Sequence, residues 1–138
     1  MSGIKKLRLI TEKVADFQFG DFKFIIDFKY SIEIDTISLF DEHNYSILDI
    51  SFILIPKDKL KKFKVTIRFK KLGSLQLSAG GTAIQLSGFE ILDISDRGWD
   101  SVKYLVRDYE YEEGLKFYCN DIEIIAIEEI EDIDLIVD

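Results

Sequence analysis

A chain with one histidine and one cysteine has little from which to build a nucleophile–base pair or a zinc centre. His43 is the one imidazole open to a Ser–His arrangement, and it sits in Asp41-Glu42-His43-Asn44, which reads as a polar turn between strands. Cys119 falls in LKFYC at alternate spacing from Leu115 and Phe117. That spacing predicts a small hydrophobe on the apolar face of a strand, not a reactive thiolate. One histidine and one cysteine cannot complete a Cys/His zinc site within a chain. Gly80-Gly81 has neither a following Lys-Ser/Thr nor a G-x-G-x-x-G context, so it reads as a turn and not a phosphate cradle. The acidic end, Glu128 to Asp138, offers oxygen ligands but lacks the D-x-D-x-D-G loop of a calcium site. Asp49 and Asp93 lie inside apolar, strand-like segments and are the carboxylates on which an interior acid–base pair would draw. Bonding to a turn or to a neighbouring basic side chain is the competing role for both. These residues specify no enzyme, and no cofactor or metal is expected.

One cluster fits binding better than catalysis. Asp96, Trp99, Asp100, Tyr104, Asp108, Tyr109, Glu110, Tyr111, Glu112 and Glu113 fall within eighteen positions. Aromatic anchors carry interface energy and charge steers encounter, so this composition suits a surface for a basic protein. The alternative is that Trp99 and Tyr104 are core residues and the carboxylates solvate a hairpin. As partner-contacting residues the sequence offers Asp96, Trp99, Asp100, Asp108, Tyr109, Glu110, Tyr111, Glu112 and Glu113.

Composition bounds the rest. The chain has 138 residues, 47% of them apolar, and a formal charge of −8. That length predicts a single domain, residues 1–138, able to bury a core without a covalent staple. A lone cysteine excludes an internal disulfide framework and points to a reducing compartment. No apolar run approaches the roughly 18 residues of a membrane helix. Charged residues at Lys5, Lys6, Arg8, Glu12 and Lys13 leave no signal-like apolar core, so a cytoplasmic location is expected. The negative charge argues against nucleic acid or an anionic membrane as the partner of the whole chain.

The charge is uneven. Residues 107–138 hold 12 acidic and 2 basic side chains, whereas the remainder is slightly basic. Within Lys57–Lys71, eight basic residues (Lys57, Lys59, Lys61, Lys62, Lys64, Arg68, Lys70 and Lys71) accompany Asp58 alone. The stretch reads first as a solvated face whose lysines guard a sheet edge. A second reading places it beside an acidic strand, with cross-strand pairs of opposite charge. Nucleic-acid binding fits less well, because Phe63 and Phe69 lie in phase with the buried face.

The elements follow from period-two patterning. Lys62–Lys70 (KFKVTIRFK) alternates strictly; the same alternation appears in Ser31–Phe40, where Ile32 and Ile34 oppose Glu33 and Asp35, and in Ser101–Arg107, where Val102, Tyr104 and Val106 oppose Lys103 and Arg107. Ser46–Ile55 is apolar on both faces and predicts a central strand, stopped by Pro56. Lys57–Lys61 is open to a helical turn or a loop. Leu72–Ser78 and Ala83–Leu86 flank a glycine turn at Ala79–Thr82, and Leu115–Cys119 and Ile122–Ile130 form another strand pair after Gly114. Asp96-Arg97-Gly98 is a further turn, and Met1–Phe19 fits an edge strand or a short helix. Recurrent short strands with glycine turns predict an all-β antiparallel sandwich or partly open barrel with Greek-key-like connections, carrying at most one or two short helices.

The order Gly88-Phe89, Ile91, Asp93-Ile94, Gly98-Trp99, Tyr104, Val106, Asp108-Tyr109-Glu110, Phe117-Tyr118-Cys119 and Ile122-Glu123 resembles the immunity protein 50 family. The likeness covers about the last half of the chain. Members of such families are small bacterial β-sandwich proteins encoded beside polymorphic toxins. The resemblance implies a protein without activity of its own that binds and neutralises a cognate toxin, often a basic nuclease, for which an acidic surface raises the association rate. Two other classes stay open. One is a small-ligand-binding β-barrel with Asp49 or Asp93 inside; the other is a homo-oligomer, such as a homodimer, paired through the edge of an apolar C-terminal strand, Ile130–Val137.

Overall fold

The computed structural model describes residues 3–33, 45–78, 84–97, 102–110 and 114–131. They form two packed sheets with no closed barrel, the sandwich that the sequence pattern predicts. The strands are β1 (Ile4–Lys5), β2 (Phe22–Glu33), β3 (Tyr45–Leu54), β4 (Lys62–Lys70), β5 (Gly73–Leu77), β6 (Ile84–Gln85), β7 (Phe89–Asp93), β8 (Tyr104–Asp108), β9 (Leu115–Cys119) and β10 (Asp121–Ile130). One sheet runs β1-β10-β4-β3-β2-β6 and the other β5-β9-β8-β7. Pairing is antiparallel except between β1 and β10, where Ile4 lies opposite Ile122. Those two strands come from opposite ends of the chain, which supplies the long connection a parallel pair needs.

β3 shows why the centre holds. Leu48, Ile50, Phe52 and Leu54 face the core, while Ile47, Ser51 and Ile53 on the other face are buried as well. Pro56 follows it and opens a tight turn, with the Lys59 amide donating to the Pro56 carbonyl and Lys59 at φ 60°. Lys57–Lys61 is therefore a turn and not a helix. The region before β2, open in sequence to an edge strand or a short helix, contains a short piece of each: the two-residue β1 and a one-turn helix, α1 (Arg8–Thr11), which contributes buried Ile10.

The sheets meet through aromatic rings. Phe89 on β7 packs on Phe22 and Phe52, with centroids 5.5 and 4.9 Å away, and Phe69 meets Phe117 at 4.9 Å. Phe17 and Phe19 extend the cluster over one end of the sandwich. Offset and edge-to-face contacts of this kind add about 0.5–1.5 kcal/mol each beyond area burial.

The basic strand corrects the edge-guard reading. β4 is interior, with β3 on one side and the acidic β10 on the other, so its lysines protect no edge. On the outer face, Lys29, Asp49, Arg68, Glu123 and Lys5 stand opposite one another in register across five strands. Arg68 donates twice to Asp49, Nε to Oδ1 at 2.9 Å and an Nη to Oδ2 at 3.0 Å. These bonds hold the guanidinium pKa above its ordinary value. Lys64–Glu128, Lys61–Glu129 and Lys6–Glu123 add looser pairs. Much of the acidic excess in β10 is thus met by neighbouring strands. A bidentate pair at a half-exposed face is worth about 1 kcal/mol, so Asp49→Asn is expected to lower unfolding stability by roughly that amount. The loss should shrink in ~1 M salt, measured by urea denaturation; a salt-independent loss would assign the effect to packing.

Candidate protein-binding surface

β7 and β8 form a hairpin in register from Phe89 opposite Asp108 to Asp93 opposite Tyr104. That register separates the residues clustered in the sequence. Asp96 lies in the short turn Ser95–Arg97 beyond one end of the hairpin, whereas Asp108, Tyr109 and Glu110 lie at the other, about 13 Å away along the strands. Tyr104 is a core residue, as the alternative reading held. Trp99, Asp100, Tyr111, Glu112 and Glu113 lie outside the described residues.

The second end is a built corner. Asp108 is in phase with Tyr104 and Val106 on the inner face of β8 and is only 2% exposed. Its Oδ2 accepts the Ser87 amide at 2.9 Å and its Oδ1 accepts the Glu110 amide at 3.2 Å. The carboxylate therefore holds the chain on both sides and is not presented to a partner, which corrects its expected place at the surface. The Tyr109 amide donates to the Gly88 carbonyl at 2.9 Å. A Cβ at Gly88 would overlap the Tyr109 ring, so that glycine is what lets the ring lie against the backbone. Tyr109 nonetheless remains 57% exposed, with exposed Glu110 beside it. The result is an aromatic side chain in contact with solvent, its own amide bonded to Gly88 and the residues around it held by the two bonds to Asp108.

The other residues with chemical potential are engaged in structure. Asp93 Oδ1 accepts both the Ser95 amide at 2.9 Å and the Ser95 hydroxyl at 2.6 Å, a local turn that lowers the carboxyl pKa. Asp49 faces outward to Arg68. Neither carboxylate enters the interior, so the ligand-barrel reading loses the groups assigned to it. An open depression of about 270 Å³ lies instead at the surface, bordered by Lys13, Asp16, Asp58 and Lys61. His43, Gly80, Gly81 and residues 132–138 lie outside the described residues. Among those described, no group of three or more His, Cys, Asp or Glu side chains converges, and no helix is long and apolar enough to cross a membrane.

Cys119 is fully buried among core side chains, and burial pushes its thiol pKa up, with Asp121 adding to the rise. Only the thiolate attacks a disulfide reagent. Native protein is therefore expected to leave an aromatic disulfide reagent unreacted over minutes, with one thiol released on unfolding; rapid native labelling would place Cys119 in an opening segment.

A second exposed feature was not anticipated. Ile26, Phe28, Tyr30 and Ile32 on β2 are between 43% and 52% exposed. Phe28, Tyr30 and Ile32 stand opposite Ile50, Leu48 and Ser46, on the inner face of the larger sheet. The smaller sheet reaches β2 at Phe22, while its Tyr104 end lies against Gly3 beside β1.

The class defined by these observations is an all-β sandwich with a fixed aromatic–acidic corner. Comparison with protein-family models, with curated proteins and with solved structures finds no match to the chain.

Proposed function

We propose that the chain is a non-catalytic protein-binding module that neutralises a cognate, basic bacterial toxin in the manner of an immunity protein. The observation that carries the binding reading is Tyr109, an exposed ring laid on Gly88 with its backbone fixed by Asp108 and Glu110 exposed beside it. Tyrosines that are ordered before association lose little conformational freedom on binding and serve as anchors. A neighbouring carboxylate favours a basic partner by steering its approach. The resemblance of residues 84–123 to an immunity family supplies the kind of partner. A nuclease would be inhibited by occlusion of its cationic substrate groove, which needs no chemistry from the inhibitor.

The test is co-expression with the product of the adjacent gene. Growth restored by this chain, together with a stoichiometric complex on purification, is the expected result. A neighbour that is harmless when expressed alone, or a toxic one that neither binds nor is neutralised, would overturn the reading.

A further inference from the structure

β6 pairs with β2 only at Phe24 and Ile25. From Asp27 to Glu33 the outer edge of β2 has no strand partner among the described residues, although its inner edge is paired with β3 throughout. Such an edge offers backbone donors and acceptors to another strand. Here it also carries the exposed row Phe28, Tyr30 and Ile32 on one face and Lys29, Ser31 and Glu33 on the other. We infer that this edge pairs antiparallel with the same strand of a second copy, giving a two-fold dimer with one continuous sheet.

The occupant follows from the strand's own complementarity. A two-fold axis normal to the sheet keeps each residue on its face, so only residues of equal parity can stand opposite one another. An axis at Lys29 sets Lys29 against its own copy. An axis at Tyr30 sets Asp27 against Glu33. An axis at Phe28 runs the second copy into the edge that β6 already occupies at Phe24 and Ile25. With the axis at Ser31, Lys29 faces Glu33 of the second copy twice, and Tyr30 faces Ile32 twice. Opposite charges then pair on one face and apolar side chains on the other, both of which favour cross-strand association. Within the described residues, where this axis pairs Lys29–Glu33 with its copy, no other axis from Phe28 to Ser31 sets opposite charges against each other and leaves β6 in place. This edge is distinct from the C-terminal one and lies on a different sheet from Tyr109, so dimerisation and toxin binding can succeed or fail separately.

The experiment is sedimentation equilibrium on the isolated full chain, without any toxin. A dimer of twice 16.0 kDa is expected. Glu33→Lys, at an exposed position, sets lysine against lysine and should weaken the dimer at least tenfold while thermal unfolding of the monomer stays near wild type. The exchange Lys29→Glu with Glu33→Lys restores the opposed charges and should restore the dimer. A wild-type chain that is monomeric at ~0.5 mM, or a dimer indifferent to Glu33→Lys, would overturn the inference.

Discussion

Phe89→Ala is expected to lower the unfolding free energy by about 3–5 kcal/mol, the range for removing a buried phenylalanine from a packed core. Phe89 is 2% exposed and touches Phe19 and Phe22 from the chain before and within β2, and Phe52 from β3. It is therefore a principal joint between the two sheets, and its loss leaves a cavity bounded by rings from several elements. Those rings are fixed by their own strands and cannot all close on the space. A domain of this size has a total stability of only about 5–15 kcal/mol, so the variant should approach the unfolding threshold. Urea denaturation measures the change directly. A loss below ~1 kcal/mol would mean that the sheets are joined chiefly elsewhere, for example at Phe69–Phe117.

Asp108→Ala has the next largest expected effect, about 2–4 kcal/mol. The substitution leaves the Ser87 and Glu110 amides without their acceptor, and each part-buried donor deprived of its partner costs roughly 1–2 kcal/mol, the lower part of the range for buried groups. Asp108→Asn keeps one side-chain oxygen but turns its carboxamide NH2, a donor, toward the other backbone N–H, so it should recover only part of the loss. Hydrogen exchange separates local from global damage: the amides of Ser87 and Glu110 should exchange faster in Asp108→Ala even where the rest of the fold is protected. Unchanged exchange at both positions would show that the carboxylate does not hold the corner.

The sheet architecture was legible where side-chain alternation alone decides it. Lys62–Lys70 and Leu115–Cys119 are strands with the expected bounds, and β3 is displaced by one residue from Ser46–Ile55. β2 was not legible as it is built. Phe24, Ile26, Phe28, Tyr30 and Ile32 share one parity and read as one face, yet irregularities in pairing between Phe22 and Phe24 and between Ile25 and Asp27 change the face midway. Phe24 stands opposite Ile53 on the outer face, whereas Phe28 stands opposite Ile50 on the inner one. A β-bulge leaves little mark on composition. β1 is only two residues long and pairs with distant β10, so the sequence could not decide between an edge strand and a short helix before β2.

The candidate site was legible in composition but not in assembly. Nearness along the chain suggested one surface, and the β7–β8 hairpin instead sends Asp96 and Tyr109 to opposite ends. Asp108 could have been placed correctly, since it continues the alternation of Tyr104 and Val106; its charge argued for the surface and its phase for the core. The phase was right, because two backbone amides replace water. Gly88 carried no signal of its role, since the demand for a missing Cβ comes from a ring twenty-one residues later. The partner of the basic strand was likewise a question of neighbours, and cross-strand order is not encoded in the strand itself.

Binding of the purified toxin by Tyr109→Ala, followed by titration calorimetry beside the wild-type chain, tests the central claim most directly. Tyr109 is mostly solvent-exposed, so its truncation should leave the melting temperature within about 2 °C of wild type. As an anchor it should carry at least ~2 kcal/mol, which is a loss of about 30-fold or more in affinity. Wild-type affinity in a fully folded Tyr109→Ala variant would contradict the account, because the corner held by Asp108 and Gly88 would then present nothing that the partner uses.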